Sequence, residues 1–318
     1  MNRILNKRIA IFYYCVFIFL LSIFPVRIFA QTNISLDSIV NNFLKGNNNY
    51  GEVVEFVKHH SINQEEVAIQ NYLKSEDAKL RLFLYGILFK MIYHENDSKL
   101  KQEGVFVLIK NGLFDSDAGN IYRVINYLSE FSEEFFDGKS KNLLATLIIE
   151  SPPHFSKLVR LVGQVNVVQL LSYLELSLQN NKDLTSSDIW SINLVLARWG
   201  DEKKAEYCVR SIKKLGLNDE VVFRLIPDLL YTRQRVVFNY LFDEILKSEL
   251  NCTSTDPDCE IKINCAYRLM EFVAPHIRNF PIRLTVSGEL DFEDYEEALL
   301  NVRDWIESNK YTYQLIPD

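Results

Sequence analysis

Two apolar stripes at helical spacing recur in this chain after an interval of 33 residues. The first copy lies in "SDIWSINLVLARWGDEKKAEYCVRSIKKLG", where Gly200 and Asp201 separate the two stripes. The stripe positions of this copy are Ile189, Ile192, Leu196, Ala205, Cys208, Val209 and Ile212. The second copy has apolar residues at Val222, Leu225, Leu229, Phe238, Leu241, Phe242 and Ile245. One offset that maps two helices at once predicts a stacked helical repeat.

Residues that interrupt helices are scarce. The chain has 11 Gly and 8 Pro among 318 residues, and it contains no low-complexity linker. Such a composition favours helices joined by short turns over a many-stranded barrel or sandwich. Further helical stripes precede the repeated unit, for example in "SLDSIVNNFL", "AKLRLFLYGILFKMIY" and "KNLLATLIIE". We therefore predict an all-α fold.

The junction between the two stripes resembles that of HEAT-type repeats. In "LARWGDEKKAEYCV", a Leu-Ala pair, a Gly-Asp turn and a following Ala stand at Leu196, Ala197, Gly200, Asp201 and Ala205. "RLIPDLLY", with Pro227 inside a helical stripe, is similar to the proline-bearing first helix of such repeats. The resemblance implies an α-α superhelix, a degenerate HEAT-like solenoid whose successive helices form an extended binding surface.

The start of the chain has the features of a secretory signal peptide. Arg3, Lys7 and Arg8 precede a long apolar run, and the small residue Ala30 stands at the expected cleavage point. We predict that residues 1–30 are removed during export. The alternative is an uncleaved anchor, because the apolar run approaches the roughly 17 residues that a membrane helix needs.

The remaining residues, 31–318, are expected to form one α-helical repeat domain. We place this domain in the periplasm or outside the cell, without stable membrane insertion after cleavage. Its most repeat-like part is 185–250. The segment 280–318, with a helix from about Phe292 to Ser308, is expected to cap the array, because a terminal repeat must cover an otherwise exposed core.

The cysteines after the signal segment are Cys208, Cys252, Cys259 and Cys265. Export exposes them to oxidising conditions, in which disulfides persist. In "NCTSTDPDCEIKINC", a turn-forming Asp-Pro-Asp sequence separates Cys252 from Cys259, so we predict a local disulfide between these two. Cys208 on an apolar stripe and Cys265 in a following helix are expected to be buried free thiols, with other connectivities left open. Because no C-x-x-C pair or neighbouring His accompanies these cysteines, no metal site is expected.

Acidic motifs in the chain are expected to cap helices. The sequence "DSDAGN" suggests calcium ligands at Asp115 and Asp117, but an EF-hand loop needs Gly at the position of Asn120. Helix capping is therefore the preferred interpretation. The acidic run within residues 289–297 precedes a predicted helix, where negative charge favours the positive end of the helix dipole.

The sequence carries no signature of a common catalytic site. Since H-E-x-x-H, G-x-S-x-G, P-loop and dinucleotide-binding motifs are missing, we expect no catalysis and no cofactor. The chain has a formal net charge of −7. It also lacks a basic cluster with interleaved aromatic residues, which argues against nucleic acid as a partner.

Our first functional hypothesis is an exported helical-repeat scaffold that binds a protein or peptide partner without catalysis. Exposed aromatic residues often mark partner surfaces. The rings to inspect for such a surface are Tyr122, Tyr127, Tyr173, Tyr207, Tyr231 and Tyr240. Most of them are expected to lie in the core or at its boundary, and none is assigned as a site. One alternative is a secreted enzyme acting on envelope carbohydrate, which would need two carboxylates about 5 to 9.5 Å apart in a deep pocket. The other is a membrane-anchored envelope protein that keeps residues 1–30.

Overall fold

The computed structural model describes residues 34–47, 49–180, 183–254, 261–283, 285–287, 291 and 294–317. The predicted signal peptide lies outside these ranges. Contacts divide the chain into two compact units, the first ending at Phe56 and the second beginning at Val57. The division falls within the range 31–318, for which the sequence predicts one domain.

Helices are the dominant element of the described ranges, in which the extended pairings are two short strands and an isolated bridge between Ile277 and Leu315. This confirms the predicted all-α class. The first unit contains α1 (Leu36–Leu44), and α2 (Tyr50–His59) spans the division. The second unit continues with α3 (Ile62–Tyr72), α4 (Ala78–His94), α5 (Ser98–Gly112), α6 (Ala118–Leu128), α7 (Gly138–Ile149), α8 (Phe155–Gln164), α9 (Leu171–Asn180), α10 (Ser186–Arg198), α11 (Glu202–Leu215), α12 (Asp219–Arg224), α13 (Ile226–Tyr231), α14 (Arg235–Ile245), α15 (Ala266–Val273) and α16 (Tyr295–Asn309). Short 3-10 helices occur at Glu133–Phe135, Val168–Leu170 and Ala274–His276, and β1 (Cys252–Thr253) pairs antiparallel with β2 (Lys262–Ile263). Within the described part of the chain, none of these helices combines the length and the apolar character that a membrane crossing requires.

Helices of the second unit contact one another in a regular order. The helices α4, α6, α8, α10, α13 and α15 form a continuous series in which each packs against the next. We call these the first-series helices. The helices between them pack against the series and, in two places, against each other, since α5 contacts α7 and α11 contacts α14.

The repeated apolar stripes lie in the core of this unit. All four stripe residues of α11 are buried, and so are all four of α14: Ala205, Cys208, Val209, Ile212, Phe238, Leu241, Phe242 and Ile245. Two of the predicted core positions are wrong. Ile189 is 38% exposed because it lies in the first turn of α10, and Leu225 is only partly buried at the break between α12 and α13.

A short turn joins α10 to α11 where the sequence places Gly and Asp. Gly200 has a φ of +102°, a conformation that residues with a Cβ rarely adopt. The carboxylate of Asp201 accepts a hydrogen bond from the backbone N–H of Lys204 at 3.1 Å and so caps the first turn of α11. Gly216, with a φ of +72°, ends the same helix, and glycine adopts a positive φ at little cost.

Pro227 divides a segment that the sequence predicts to be one helix. The apolar stripe from Val222 to Leu229 predicts a single helix bent at the proline. In the structure, α12 ends at Arg224 and α13 begins at Ile226, with the proline in its first turn. Proline has no backbone N–H, so it fits the first turn of a new helix, where that donor has no helical partner in any case.

Cys252 forms a disulfide with Cys265, and their Cα atoms lie 5.1 Å apart. The predicted pairing of Cys252 with Cys259 is corrected by this bond, because one sulfur joins only one partner in a disulfide; Cys259 itself lies outside the described residues. Pairing of β1 with β2 sets Cys252 opposite Ile263, two residues before Cys265, and so brings the two cysteines together. Cys265 is therefore not the expected free thiol. Cys208 is a buried free thiol as predicted, and burial raises its pKa to about 12.

The C-terminal segment contains the predicted helix, α16. The carboxylate of Asp294 accepts hydrogen bonds from the backbone N–H groups of Glu296 at 2.8 Å and Glu297 at 3.2 Å. Acidic residues therefore do enter this helix at the positive end of its dipole. The buried face of α16 consists of Ala298, Leu299, Val302 and Ile306, and the helix packs against α15.

Close approach of α8 to α10 depends on the missing side chain of Gly163. A Cβ at this position would lie 2.6 Å from Cγ2 of Val195 and would overlap the hydroxyl oxygen of Tyr231. That hydroxyl is held in place, because it donates to the carbonyl of Arg160 at 2.7 Å. The two helices therefore leave no room for a methyl group at Gly163.

We expect Gly163→Ala to lower the free energy of unfolding by about 1–3 kcal/mol, because overpacking forces neighbouring side chains and backbone to shift. Urea unfolding followed by circular dichroism measures this loss. Gly138→Ala is the matched control, since Gly138 is also helical and a Cβ there meets nothing within 4 Å. Equal losses at the two positions would contradict the packing role of Gly163.

Candidate functional site

A buried ion pair joins two turns of the second unit. Arg81 in the first turn of α4 donates to the carboxylate of Asp115, from Nε at 2.8 Å and from Nη2 at 2.7 Å. Both residues are buried. The hydroxyl of Tyr85 donates to the same carboxylate at 2.8 Å, and the side-chain amide of Asn120 donates to it at 3.3 Å. Because Arg81 also donates to the carbonyl of Ser75 at 2.7 Å, its guanidinium connects the turn before α4 with the turn before α6.

These contacts hold the pair in its ionised form. Burial opposes ionisation of Asp115, but hydrogen bonds from Arg81, from the backbone of Asp117 and from Tyr85 outweigh it and lower the pKa of the carboxyl to about 2. Burial and the bond to Asp115 raise the pKa of the Tyr85 hydroxyl. Each of these polar groups is bonded to another group of the protein. The network therefore has a structural role, since it holds the turn before α4 against the turn before α6.

The motif "DSDAGN" therefore has two different uses. Asp117 caps α6 as predicted, since its carboxylate accepts a hydrogen bond from the backbone N–H of Asn120 at 2.9 Å. For Asp115 the predicted capping role is wrong. Its main partner is Arg81, which lies 34 residues earlier in the chain and outside any local motif.

A second ion pair joins three first-series helices. Arg160 of α8 pairs with Asp228 of α13, and the bond from Nη2 to Oδ2 measures 2.8 Å. Trp190 of α10 donates from its indole N–H to the same carboxylate at 2.7 Å. The hydroxyl of Tyr231 in α13 donates a hydrogen bond to the carbonyl of Arg160 in α8. These bonds fix the positions of three helices whose carboxyl ends meet at a cleft.

This open cleft has a volume of about 1140 Å³ and lies where four first-series helices, α6, α8, α10 and α13, end. Its wall is formed by Ser129 after α6, by Gln164 at the end of α8, by Arg198 at the end of α10, by Tyr231 at the end of α13 and by His276 after α15. We call it the carboxyl-end cleft. Sites for small molecules usually measure about 300–1,000 Å³, so this cleft has room for a larger ligand such as a peptide.

Polar side chains bind the exposed carbonyls of the helix ends around the cleft. Gln164 donates from Nε2 to the carbonyl of Ser129 at 2.8 Å, 35 residues away. Arg198 donates from Nε to the carbonyl of Gly163 at 3.2 Å, again 35 residues away, and from Nη1 to the carbonyl of Tyr231, 33 residues away. The last four carbonyls of a helix have no partner within the helix, and these side chains supply one. One side-chain role thus recurs from helix to helix.

Charged and aromatic residues share the surface of the cleft. Its carboxylates are Glu130, Glu133, Glu134 and Asp137, and its cationic side chains include Lys141, Arg198 and Arg233. The partly buried rings of Trp199 and Phe272 also line it. The indole Nε1 of Trp199 is buried and has no hydrogen-bond partner among the residues that the structure describes.

The six tyrosines named for inspection lie in different parts of the structure. Of the six, Tyr231 lines the carboxyl-end cleft, whereas Tyr240 is buried. Tyr122 is exposed outside the cleft, with the ammonium of Lys157 3.9 Å from its ring centroid. The disulfide of Cys252 also lies outside the cleft. Across the described ranges, no group of three or more His, Cys, Asp or Glu residues is arranged to hold a metal ion.

Several cleft residues escaped the sequence analysis. Arg198 stands beside a turn, where a charged residue is expected to face solvent, but its guanidinium donates to carbonyls at two neighbouring helix ends. One sequence signal could have indicated the cleft. A polar or aromatic residue stands at successive helix ends, namely Gln164, Arg198 and Tyr231. Glu130 and Glu134 carried no such signal, because a loop carboxylate has no spacing rule that connects it with a helix some 70 residues further on.

No family model matches the sequence. No curated protein and no solved structure matches it either. The contacts of the chain's own residues are therefore the basis for a functional proposal.

Proposed function

We propose that this protein is an exported helical-repeat scaffold that binds an extended peptide segment of a protein partner in the carboxyl-end cleft. The observation that carries this proposal is the cleft itself, because consecutive helices of the series each contribute their end to one open surface of about 1140 Å³. Stacked repeats typically bind partners along such surfaces, to which each repeat adds one or two side chains.

The repeat interpretation is supported by contacts and by spacing. Each first-series helix packs against the next, as in a stacked array in which a repeat meets only its neighbours. The helix-end hydrogen bonds of Gln164 and Arg198 span 33 to 35 residues, which agrees with the 33-residue offset of the apolar stripes. A degenerate HEAT-like solenoid is the arrangement that accounts for both observations.

Export is supported by the disulfide and by the start of the chain. Cys252 and Cys265 are joined in a bond that persists in oxidising compartments and is rare in the cytosol. Residues 1–30 have the charge and apolar pattern of a signal peptide. We therefore place the scaffold in the periplasm or outside the cell.

Selection of phage-displayed random peptides on the immobilised protein tests the binding role. We expect enriched peptides to bind the unaltered protein at least about tenfold more tightly than the variant Ser129→Trp, whose indole would occupy the cleft. Ser129 is exposed, and its hydroxyl donates to the carbonyl of Asn126 in the last turn of the preceding helix, α6, at 2.8 Å. The substitution therefore removes one local bond only.

Thr146→Trp is the matched control for this experiment. Thr146 is exposed on α7 outside the cleft, and its hydroxyl likewise donates to a carbonyl of its own helix, that of Asn142, at 3.1 Å. Binding should be the same for this variant and for the unaltered protein. Failure to enrich any peptide, or equal loss in both tryptophan variants, would refute binding at the cleft.

A further inference from the structure

The cationic side chains of the carboxyl-end cleft are directed at groups of the protein itself. Lys141 pairs with Glu133, with 2.7 Å between Nζ and Oε1. Arg198 donates to two main-chain carbonyls at helix ends. Arg233 donates from Nη1 to a main-chain carbonyl near the C-terminus at 3.2 Å. These contacts hold the three cationic side chains in place.

Two carboxylates in the same cleft, Glu130 and Glu134, have no cationic partner among the residues that the structure describes. Glu134 accepts a hydrogen bond from the hydroxyl of Ser132 at 3.1 Å and has no cationic partner within the described ranges. The side chain of Glu130 forms neither a hydrogen bond nor an ion pair with any residue that the structure describes. Both side chains are exposed. Because the cleft has four carboxylates and three cationic side chains, its net formal charge is negative.

Helix ends add to this negative potential. The carboxyl ends of α6, α8, α10 and α13 all meet the cleft. Each helix dipole places a partial negative charge of about half an electron at its carboxyl end, where cations are favoured. Arg198 and Gln164 bind some of the carbonyls there, but only Arg198 brings a positive charge to them. The helix dipoles and the carboxylates of Glu130 and Glu134 therefore both make the electrostatic potential in the cleft more negative.

We propose that the carboxyl-end cleft selects cationic peptide segments, with the Lys or Arg side chain of the partner bound by Glu130 and Glu134. This inference rests on the proposed peptide-binding function and adds the chemistry of the partner. The partly buried rings of Trp199 and Phe272 offer an apolar surface for the neighbouring residue of the peptide, and an aromatic face also attracts a cation.

Three fluorescein-labelled octapeptides test the charge preference by fluorescence anisotropy with the full exported chain. The cationic probe is Gly-Lys-Ser-Phe-Lys-Ser-Lys-Gly, and its analogues carry Gln or Glu in place of the three Lys residues. We expect the cationic peptide to bind most tightly and the Glu analogue to bind most weakly. The double variant Glu130→Gln/Glu134→Gln should bind the cationic peptide about fivefold more weakly, because two partly solvated ion pairs are lost. The double variant Glu202→Gln/Glu206→Gln is the control of equal charge, and its affinity should be unchanged.

The possible results separate this inference from the function on which it rests. Equal affinity for all three peptides, abolished by Ser129→Trp, would keep the peptide-binding cleft and overturn its charge preference. Binding of the cationic peptide that is insensitive to Ser129→Trp would also overturn the preference, since it would reflect attraction to the acidic surface as a whole. If none of the peptides binds and the phage selection also fails, the proposed function itself falls.

Discussion

Replacing Arg81 with methionine is expected to lower the free energy of unfolding by about 3–5 kcal/mol, because it leaves the buried carboxylate of Asp115 without its cation. Asp115 is fully buried, and the substitution removes both bonds from Arg81. The free energy of unfolding of a whole domain is only about 5–15 kcal/mol, so the expected loss is a large fraction of it. Urea unfolding monitored by circular dichroism at neutral pH provides the measurement.

Two further variants identify the cause of that loss. Arg81→Met/Asp115→Leu should unfold less easily than Arg81→Met alone, because it removes the unpaired buried charge as well. Arg210→Ala breaks a pair with Glu206 in which both side chains are more than half exposed, and it should change stability by less than about 0.5 kcal/mol. If the double variant is the less stable of the two, the carboxylate does not depend on its cation.

The same pair makes stability depend on acid pH. The pKa of Asp115 is lowered in the folded protein to about 2, compared with about 3.9 for an unfolded aspartate. Its stabilising effect is therefore fully present above about pH 4 and is lost as the pH falls through about 2. We expect the stability difference between the unaltered protein and Asp115→Asn to shrink over this interval. A difference that stays constant from pH 5 to pH 2 would contradict the role of the ionised carboxylate.

Removal of the disulfide is expected to have the second-largest effect. The bond joins residues 13 apart, and closing a loop of this size stabilises a protein by about 3 kcal/mol through the restricted unfolded chain. Cys252→Ala/Cys265→Ala should therefore unfold at correspondingly lower urea. Dithiothreitol should bring the unaltered protein to the stability of this variant and leave the variant itself unchanged.

Cys259→Ser decides between the two pairings that involve Cys252. With the bond between Cys252 and Cys265, the serine variant keeps the disulfide and its full stability. If Cys259 were the partner, the variant would behave like the double alanine variant. Mapping the disulfide-linked peptides by mass spectrometry after proteolysis gives an independent answer from the same samples.

Local patterns in the sequence were sufficient for the helices and for much of the core. The stripes in α11 and α14 are buried at every predicted position, since a residue's neighbours three and four places away decide which face of a helix is apolar. The turn at Gly200 and the cap at Asp201 follow the same short-range rules. Pro227 was placed correctly in a helical region, but the sequence did not show that the helix would restart there.

The candidate site was much less accessible to sequence reasoning. Tyr231 was among the aromatic rings to inspect, but five other tyrosines were equally good candidates. Glu130, Arg198 and Trp199 belong to one cleft only because the loop after α6 and the end of α10 meet in space. No periodicity connects a loop residue with a helix end that lies two helix pairs further along the chain.

The amino-acid sequence by itself determined the helical class, the turns and the buried stripes of this protein. These features depend on backbone hydrogen bonds and on side chains within one or two helical turns, so their causes lie close together in the chain. Only the tertiary structure decided that Cys252 bonds Cys265, that Arg81 meets Asp115 and that four helix ends open onto one cleft. The angle and the distance at which helices pack determine those partners. The close approach of α10 to α8 at Gly163 is one example. Such geometry results from many weak contacts that act together.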